Sequence, residues 1–220
     1  MSASVSPVLL CDLDGTLLDS APGIVRCLQL TFREMGVAEP PRGDWSALIG
    51  PPLVELFERA GLDAAGVMSA IGRYRFHYRD SGLIEYSVYP GIPEMLASLA
   101  SAGFRMAVAT AKLEAYAEVV VGHAGLAEYF EVISGIDELA GRTTKRQVMA
   151  SALERLPGHS LGATWMIGDR EHDADGASHH RLPFLAALWG YGRTDEFESF
   201  PVDFSAPQPR AAADWLLDRR

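Results

Sequence analysis

Four apolar residues that run straight into two carboxylates and a glycine constrain this chain more than any other stretch: Val8-Leu9-Leu10-Cys11-Asp12-Leu13-Asp14-Gly15-Thr16. An uninterrupted apolar run of that length predicts a strand buried on both faces of a parallel sheet. Gly15 predicts that the strand breaks into a loop, leaving Asp12 and Asp14 near its carboxyl end, where open α/β sheets bind their ligands. Side chains two apart on a strand share a face. An ordinary strand-to-turn junction also favours Asp and Gly for backbone reasons. The acids therefore need partners from elsewhere in the chain to mean more than a turn.

Downstream, the pattern first departs from an α/β alternation and then settles into it. Apolar residues recur at helical intervals from Gly23 to Met35, with Gly36 as the stop. Pro40-Pro41 reads as a turn, Trp45 to Ile49 as a short helix ended by Gly50-Pro51-Pro52, and Leu53 to Ala60 and Ala64 to Tyr78 as two more helices. No convincing strand intervenes before Tyr89-Pro90-Gly91. A helical insertion, residues 18–85, explains this best, with the core made of residues 1–17 and 86–220. From Pro90 the alternation of a doubly wound fold sets in. Helices are expected over Ile92 to Ala100, Leu113 to His123, Thr144 to Leu156, Ala174 to His180 and Arg210 to Leu217, with a helical turn at Asp195 to Ser199. Strands are expected over Phe104 to Thr110, Tyr129 to Ser134, Thr164 to Gly168 and Pro183 to Leu188.

With Gly15-Thr16 and Asp19-Ser20 included, the opening stretch resembles the first motif of the haloacid dehalogenase-type hydrolases, written D-x-D-G-T-x-x-D-S in their phosphatases. Three later segments stand in the order the resemblance requires. Thr110 ends the next strand; alone it would read as a turn or N-cap residue. Lys145 opens a helix, with Arg142 and Arg146 as rivals for its role. The spacing of Gly141 and Lys145 does not make a P-loop. Met166-Ile167-Gly168-Asp169-Arg170-Glu171-His172-Asp173 has the form G-D-x-x-x-D after an apolar strand. The resemblance implies a parallel-sheet Rossmann-like core with a small all-helical cap. Gly50-Pro51-Pro52, Tyr89-Pro90-Gly91 and the Asp169 segment resemble the phosphoglycolate phosphatase and 5'-nucleotidase-like branch. Ala111 departs from the Ser or Asn that relatives often carry before the Lys.

The resemblance also implies roles. Asp12 is expected as nucleophile, Asp14 as acid and base, and Thr110, Lys145 and the loop amides of Gly15, Thr16 and Ala111 as holders of the phosphoryl group. Lys112, two residues beyond Thr110, is a secondary candidate for the same anion and is not counted among the expected site residues. Crowded carboxylates repel by about 4 kcal/mol per pair at ~4 Å and an effective dielectric near 20. A hard divalent ion removes that conflict, and oxygen ligands suit Mg²⁺, so Asp12, Asp14, Asp169 and Asp173 are the expected metal residues. His172 and His179-His180 read as structural or surface groups. The expected activity is hydrolysis of a small phosphorylated metabolite, phosphoglycolate or a nucleoside 5'-monophosphate. A phosphomutase or a catalytically idle phospho-ligand binder on the same scaffold are the alternatives. A dehalogenase would not need Asp14.

Composition excludes other classes. The formal net charge of -10 disfavours a nucleic-acid polymer as partner, because affinity for phosphate backbones comes from clustered Lys and Arg. Arg73, Arg75 and Arg79 read as a solvated helix face. No apolar run approaches the ~18 residues of a membrane span, and the start of the chain lacks a signal-peptide pattern. Cys11 and Cys27, the only cysteines, have no metal-ligand spacing. A cytoplasmic monomer or homodimer is expected.

Overall fold

In the computed structural model, which describes residues 6–40, 45, 48–50 and 52–219, the strands in chain order are β1 (Val8–Cys11), β2 (Leu18–Asp19), β3 (Ser87–Val88), β4 (Arg105–Leu113), β5 (Val132–Ile136), β6 (Thr164–Gly168), β7 (Phe184–Ala187) and β8 (Phe204–Ala206). The helices are α1 (Ala21–Met35), α2 (Leu53–Arg59), α3 (Ala64–His77), α4 (Ile92–Ser101), α5 (Glu114–His123), α6 (Lys145–Glu154), α7 (Glu171–His180) and α8 (Pro209–Leu217). All four residues of β1 are fully buried, as an apolar run covered on both faces must be. β1 sits inside a six-stranded sheet of order β5-β4-β1-β6-β7-β8, and every adjacent pair is parallel. The chain builds outward from β1 through β4 and β5, then returns to build on its other side through β6, β7 and β8. The reversal makes β1 and its two neighbours the switch point, where such sheets form a ligand crevice beyond their carboxyl ends.

Alternate side chains divide between the two faces. Val8, Leu10, Ala107, Ala109, Met166, Phe184 and Ala186 pack with Val148, Met149 and Ala152 of α6 and with Ala174 and Ala177 of α7 in one buried cluster. Of the residues one step along, Trp165 meets Phe104 with ring centroids 5.9 Å apart. On the same unit α4 packs with α8. Burial of this kind contributes roughly 25 cal/mol per Å² of apolar surface.

The chain divides into two units, Met1–Leu18 with Val88–Arg220, and Asp19–Ser87. The second unit has its own core. Phe32 of α1 meets Trp45 edge-on at 5.2 Å and Phe57 of α2 at 6.0 Å, and Tyr74 stacks on Tyr78 at 5.6 Å. Gly36, at φ 64°, ends α1 in the left-handed conformation that other residues adopt only with strain. Asp63 caps α3 by accepting a hydrogen bond from the Gly66 amide at 2.8 Å. After α3 the chain widens into a π-turn over Tyr78–Gly82.

Several expected boundaries need correction. β4 does not stop at Thr110: pairing with β5 resumes at Leu113 opposite Ile136 after a register shift. Gly135 permits this, since a Cβ there would strike the Lys112 carbonyl. β5 starts at Val132 rather than Tyr129, because residues 127–129 close a 3₁₀ turn. α7 begins at Glu171 rather than Ala174, because Asp173 reaches back to accept the Arg170 amide at 3.0 Å. β8 and the short β2–β3 pair were not expected at all. The expected turn at Pro40-Pro41, the helix at Trp45 to Ile49 and the Gly50-Pro51-Pro52 loop fall partly outside the described residues. No helix among the described residues is long and apolar enough to cross a membrane.

Candidate active site

Register decides what meets at the carboxyl end of the sheet. Cys11 lies opposite Val108 of β4 and Ile167 of β6, and the Asp12 amide donates to the Ile167 carbonyl at 3.0 Å. Asp12, Thr110 and Asp169 therefore stand one or two residues beyond a shared rung on three adjacent strands. Lys145, the first residue of α6, reaches the same place. Its Nζ donates to Asp12 Oδ1 at 2.5 Å and lies 2.6 Å from Asp173 Oδ1. A capping box orients that helix start, with the Thr144 hydroxyl accepting the Gln147 amide and the Gln147 side chain accepting the Thr144 amide. Thr110 is buried, and its Oγ1 accepts the Lys112 amide at 3.2 Å.

Asp12, Asp169 and Asp173 each offer a carboxylate oxygen within 4.8 Å of the others. The Thr16 hydroxyl donates to Asp169 Oδ1 at 3.2 Å, and the Tyr191 amide donates to Asp169 Oδ2 at 2.8 Å. Gly15 is required twice over: its φ is 88°, and a Cβ would collide with the Asp169 carboxylate. Asp14 turns elsewhere, accepting the Lys112 ammonium on both oxygens at 2.7 and 2.6 Å.

Burial dominates the electrostatics. It pushes the Asp12 carboxyl up to about 7, an effect the Lys145 ammonium only partly offsets and Asp173 adds to. Asp169 is raised well above the usual carboxylate range by burial, then by Asp12 and Asp173, against the pull of the Tyr191 amide. At Lys145 burial works against the ammonium, but Asp12 and Asp173 outweigh it and hold the pKa above its ordinary value. The cluster thus holds its one cation more firmly than its anions. With all three acids ionised, two negative charges remain uncompensated, and every side-chain donor is a carboxylate oxygen. That donor set fits a hard divalent cation.

Other expected residues go to other partners. Arg142 donates to the Glu114 carboxylate and the Gly135 carbonyl, each at 2.6 Å, and Arg146 to Asp175 at 2.7 Å. Lys145 is therefore the basic residue that meets Asp12. Lys112 faces Asp14. Ala111 is exposed. His180 hydrogen-bonds the Arg146 carbonyl at 2.8 Å, and no histidine belongs to the acidic trio. Sequence reading missed the contribution of Tyr191 and of Trp189, whose indole N–H donates to the Thr16 carbonyl at 2.9 Å. The only signal was Gly190 and Gly192 at the end of an apolar run.

The family model for haloacid dehalogenase-like hydrolases matches residues 9–187. The tyrosine-protein kinase PtkA of Mycobacterium tuberculosis is 40% identical over 199 residues, 88% of this chain; the chain spans 66% of that relative's length. A 5'-nucleotidase of Pseudomonas aeruginosa is 36% identical over 88% of this chain and 87% of its own. A phosphoglycolate phosphatase of Aquifex aeolicus is 31% identical over 92% of each. Among solved structures, a haloacid dehalogenase-like family hydrolase from Streptococcus pneumoniae superposes with a TM-score of 0.89 at 27% identity, covering 97% of this chain and 99% of its own.

Proposed function

The chain belongs to the haloacid dehalogenase-like hydrolases, and from that footing we propose that it is a Mg²⁺-dependent phosphomonoesterase acting on a small phosphorylated metabolite. The observation that carries this reading is Lys145 bridging Asp12 and Asp173 beside Asp169, a buried cluster of three carboxyl groups against one ammonium. Asp12, Asp169 and the Asp14 carbonyl would hold Mg²⁺, with Asp173 supporting it. When bound, the ion supplies positive charge against the phosphoryl oxygens.

The residues then divide the work. An Asp12 oxygen bonds to phosphorus as the ester P–O bond breaks, giving an aspartyl-phosphate. Asp14, released from Lys112 and protonated from solvent before the substrate is sealed in, gives that proton to the departing alkoxide. It then takes a proton from water, whose oxygen bonds to phosphorus as the Asp12–phosphorus bond breaks and inorganic phosphate leaves. Thr110, Lys145 and the Ala111 amide hold the equatorial oxygens, where charge spreads during transfer; the Gly15 and Thr16 amides, expected to share this role, donate instead to the Leu18 and Leu13 carbonyls at 2.8 and 3.3 Å. The helical unit, Asp19–Ser87, is the part of the chain to which recognition of the leaving group is assigned. Phosphoglycolate and nucleoside 5'-monophosphates are the substrates proposed, following the names of two relatives. Phosphate release from p-nitrophenyl phosphate with Mg²⁺, then from a panel of those esters and sugar phosphates, tests the reading. EDTA should abolish release; full activity in metal-free protein would overturn the metal assignment.

The 40% identity to a protein named a tyrosine kinase favours one second reading, in which a tyrosyl hydroxyl rather than water accepts the phosphoryl group. Labelled γ-phosphate of ATP would then appear on a tyrosine peptide and not as free phosphate.

A further inference from the structure

The loop that follows β7 holds none of the acids or lysines discussed so far, yet it touches two of the segments that carry them. The loop is anchored in the sheet: the Leu188 amide donates to the Ala206 carbonyl at 2.9 Å and the Gly190 amide to the Ala187 carbonyl at 3.3 Å. From there Trp189 ties down the Thr16 carbonyl through its indole N–H at 2.9 Å, and the Tyr191 amide donates to Asp169 Oδ2 at 2.8 Å. The Thr16 hydroxyl takes the other Asp169 oxygen at 3.2 Å. Both donors to Asp169 therefore trace to one short segment, one directly and one through the backbone it pins.

We propose that Trp189-Gly190-Tyr191 is the positioning element of Asp169, fixing its carboxylate toward Asp12 and Asp173 before a divalent cation arrives. The proposal rests on the metal reading above. Three crowded carboxylates repel one another, and a surface Asp would relieve that by rotating into water; here Asp169 is 1% exposed and cannot. Steric contact closes the remaining freedom. A Cβ on Gly190 would come closer than 3.0 Å to the Gly15 carbonyl oxygen, Asp169 Cβ and Asp169 Oδ2, and one on Gly192 would strike the Asp169 carbonyl. The loop backbone thus lies directly against the acid it orients. Each carboxylate oxygen has two acceptor positions, so one donor apiece leaves each oxygen with a position for a cation.

Two substitutions in the full-length chain test this, with Mg²⁺ titrated calorimetrically into metal-free protein. Trp189→Phe keeps an aromatic six-membered ring and removes the indole N–H to Thr16 along with the smaller ring that carries it. Gly190→Ala forces Asp169 aside. Both should weaken Mg²⁺ binding, by about 10- to 100-fold, as loss of a partner that orients a metal ligand does. The Mg²⁺ concentration giving half-maximal turnover should rise in step, and turnover should return at saturating Mg²⁺. If Gly190→Ala fails to fold, Trp189→Phe carries the test, with its metal-free melting curve checked against the parent. Parent-like Mg²⁺ affinity in Trp189→Phe overturns the proposal, as does a loss of turnover that no Mg²⁺ concentration restores. If the parent chain itself takes up no Mg²⁺, the metal reading fails and this one with it. If the parent binds Mg²⁺ and the variants bind it equally, only the positioning role falls.

Discussion

The same sheet carries a buried charge cluster at one end and an exposed ion pair at the other, and the two are built on opposite terms. At the amino end of β4, Arg105 forks onto Glu131 with bonds of 2.8 and 2.6 Å and donates a third to the Pro157 carbonyl at 2.6 Å. One cation meets one anion there, and the Glu131 side chain is 47% exposed. At the carboxyl end, Lys145 meets Asp12 and Asp173 with all three side chains at or below 10% exposure, and Asp169 adds a further buried acid. The amino-end pair is balanced and solvated. The carboxyl-end cluster is neither, and burying charge is unfavourable unless the pairing is complete. A fold selected only for stability would not retain it, so the imbalance itself points to work done on a ligand.

Removing the carboxylate proposed as nucleophile should separate the two ends most sharply. Asp12→Asn is expected to lower turnover of p-nitrophenyl phosphate by about 10⁴-fold or more, the scale on which loss of a covalent nucleophile is felt. The same change deletes a buried charge, so the metal-free variant should melt at or above the parent temperature. A variant with the parent rate would refute the role given to Asp12. Lys145→Met makes the reverse case, because it leaves Asp12 and Asp173 buried without their cation. Its metal-free unfolding free energy in urea should fall by about 3–5 kcal/mol, as when one partner of a buried pair is lost. Its turnover should fall by roughly 10²- to 10³-fold, as for loss of a donor to the transition state. An unchanged urea midpoint would mean that the acids had already shed their charge by taking up protons.

What could be read from the chain follows from how local each signal is. The β1 run, the alternation after Pro90 and the Asp12, Thr110, Lys145 and Asp169 segments are patterns within a dozen residues, and they correspond to observed strands, helices and the junctions between them. β2, β3 and β8 are two or three residues long, and such strands are defined by pairing rather than by their own side chains. The start of α7 was hidden because Arg170 is no ordinary cap; Asp173 makes the bond instead. The Lys112–Asp14 pair spans 98 positions and the Trp189–Thr16 bond 173. No periodicity reports contacts at such range. The residues that the structure brings together around Asp12 were legible, and the long-range contacts that hold them in place were not.

The amino-end pair offers the smallest and most diagnostic effect. Glu131→Gln should leave turnover untouched, since the pair lies at the far end of β4 from Asp12, and should lower stability at neutral pH by only about 0.2–1 kcal/mol, the range for exposed pairs. Its pH dependence has a definite sign. The hydrogen bond from Arg105 holds the Glu131 carboxyl below its ordinary value. The native state therefore favours the ionised form, and the pair contributes fully above the unfolded-state pKa and less as pH falls through the lowered folded one. Urea midpoints of parent and variant should differ slightly at pH 7 and converge in acid, and 1 M salt should narrow the neutral gap by screening. A gap that persisted in both acid and high salt would show that Glu131 acts through packing of its side chain, and would remove the balanced, solvated pair from which the carboxyl-end cluster differs.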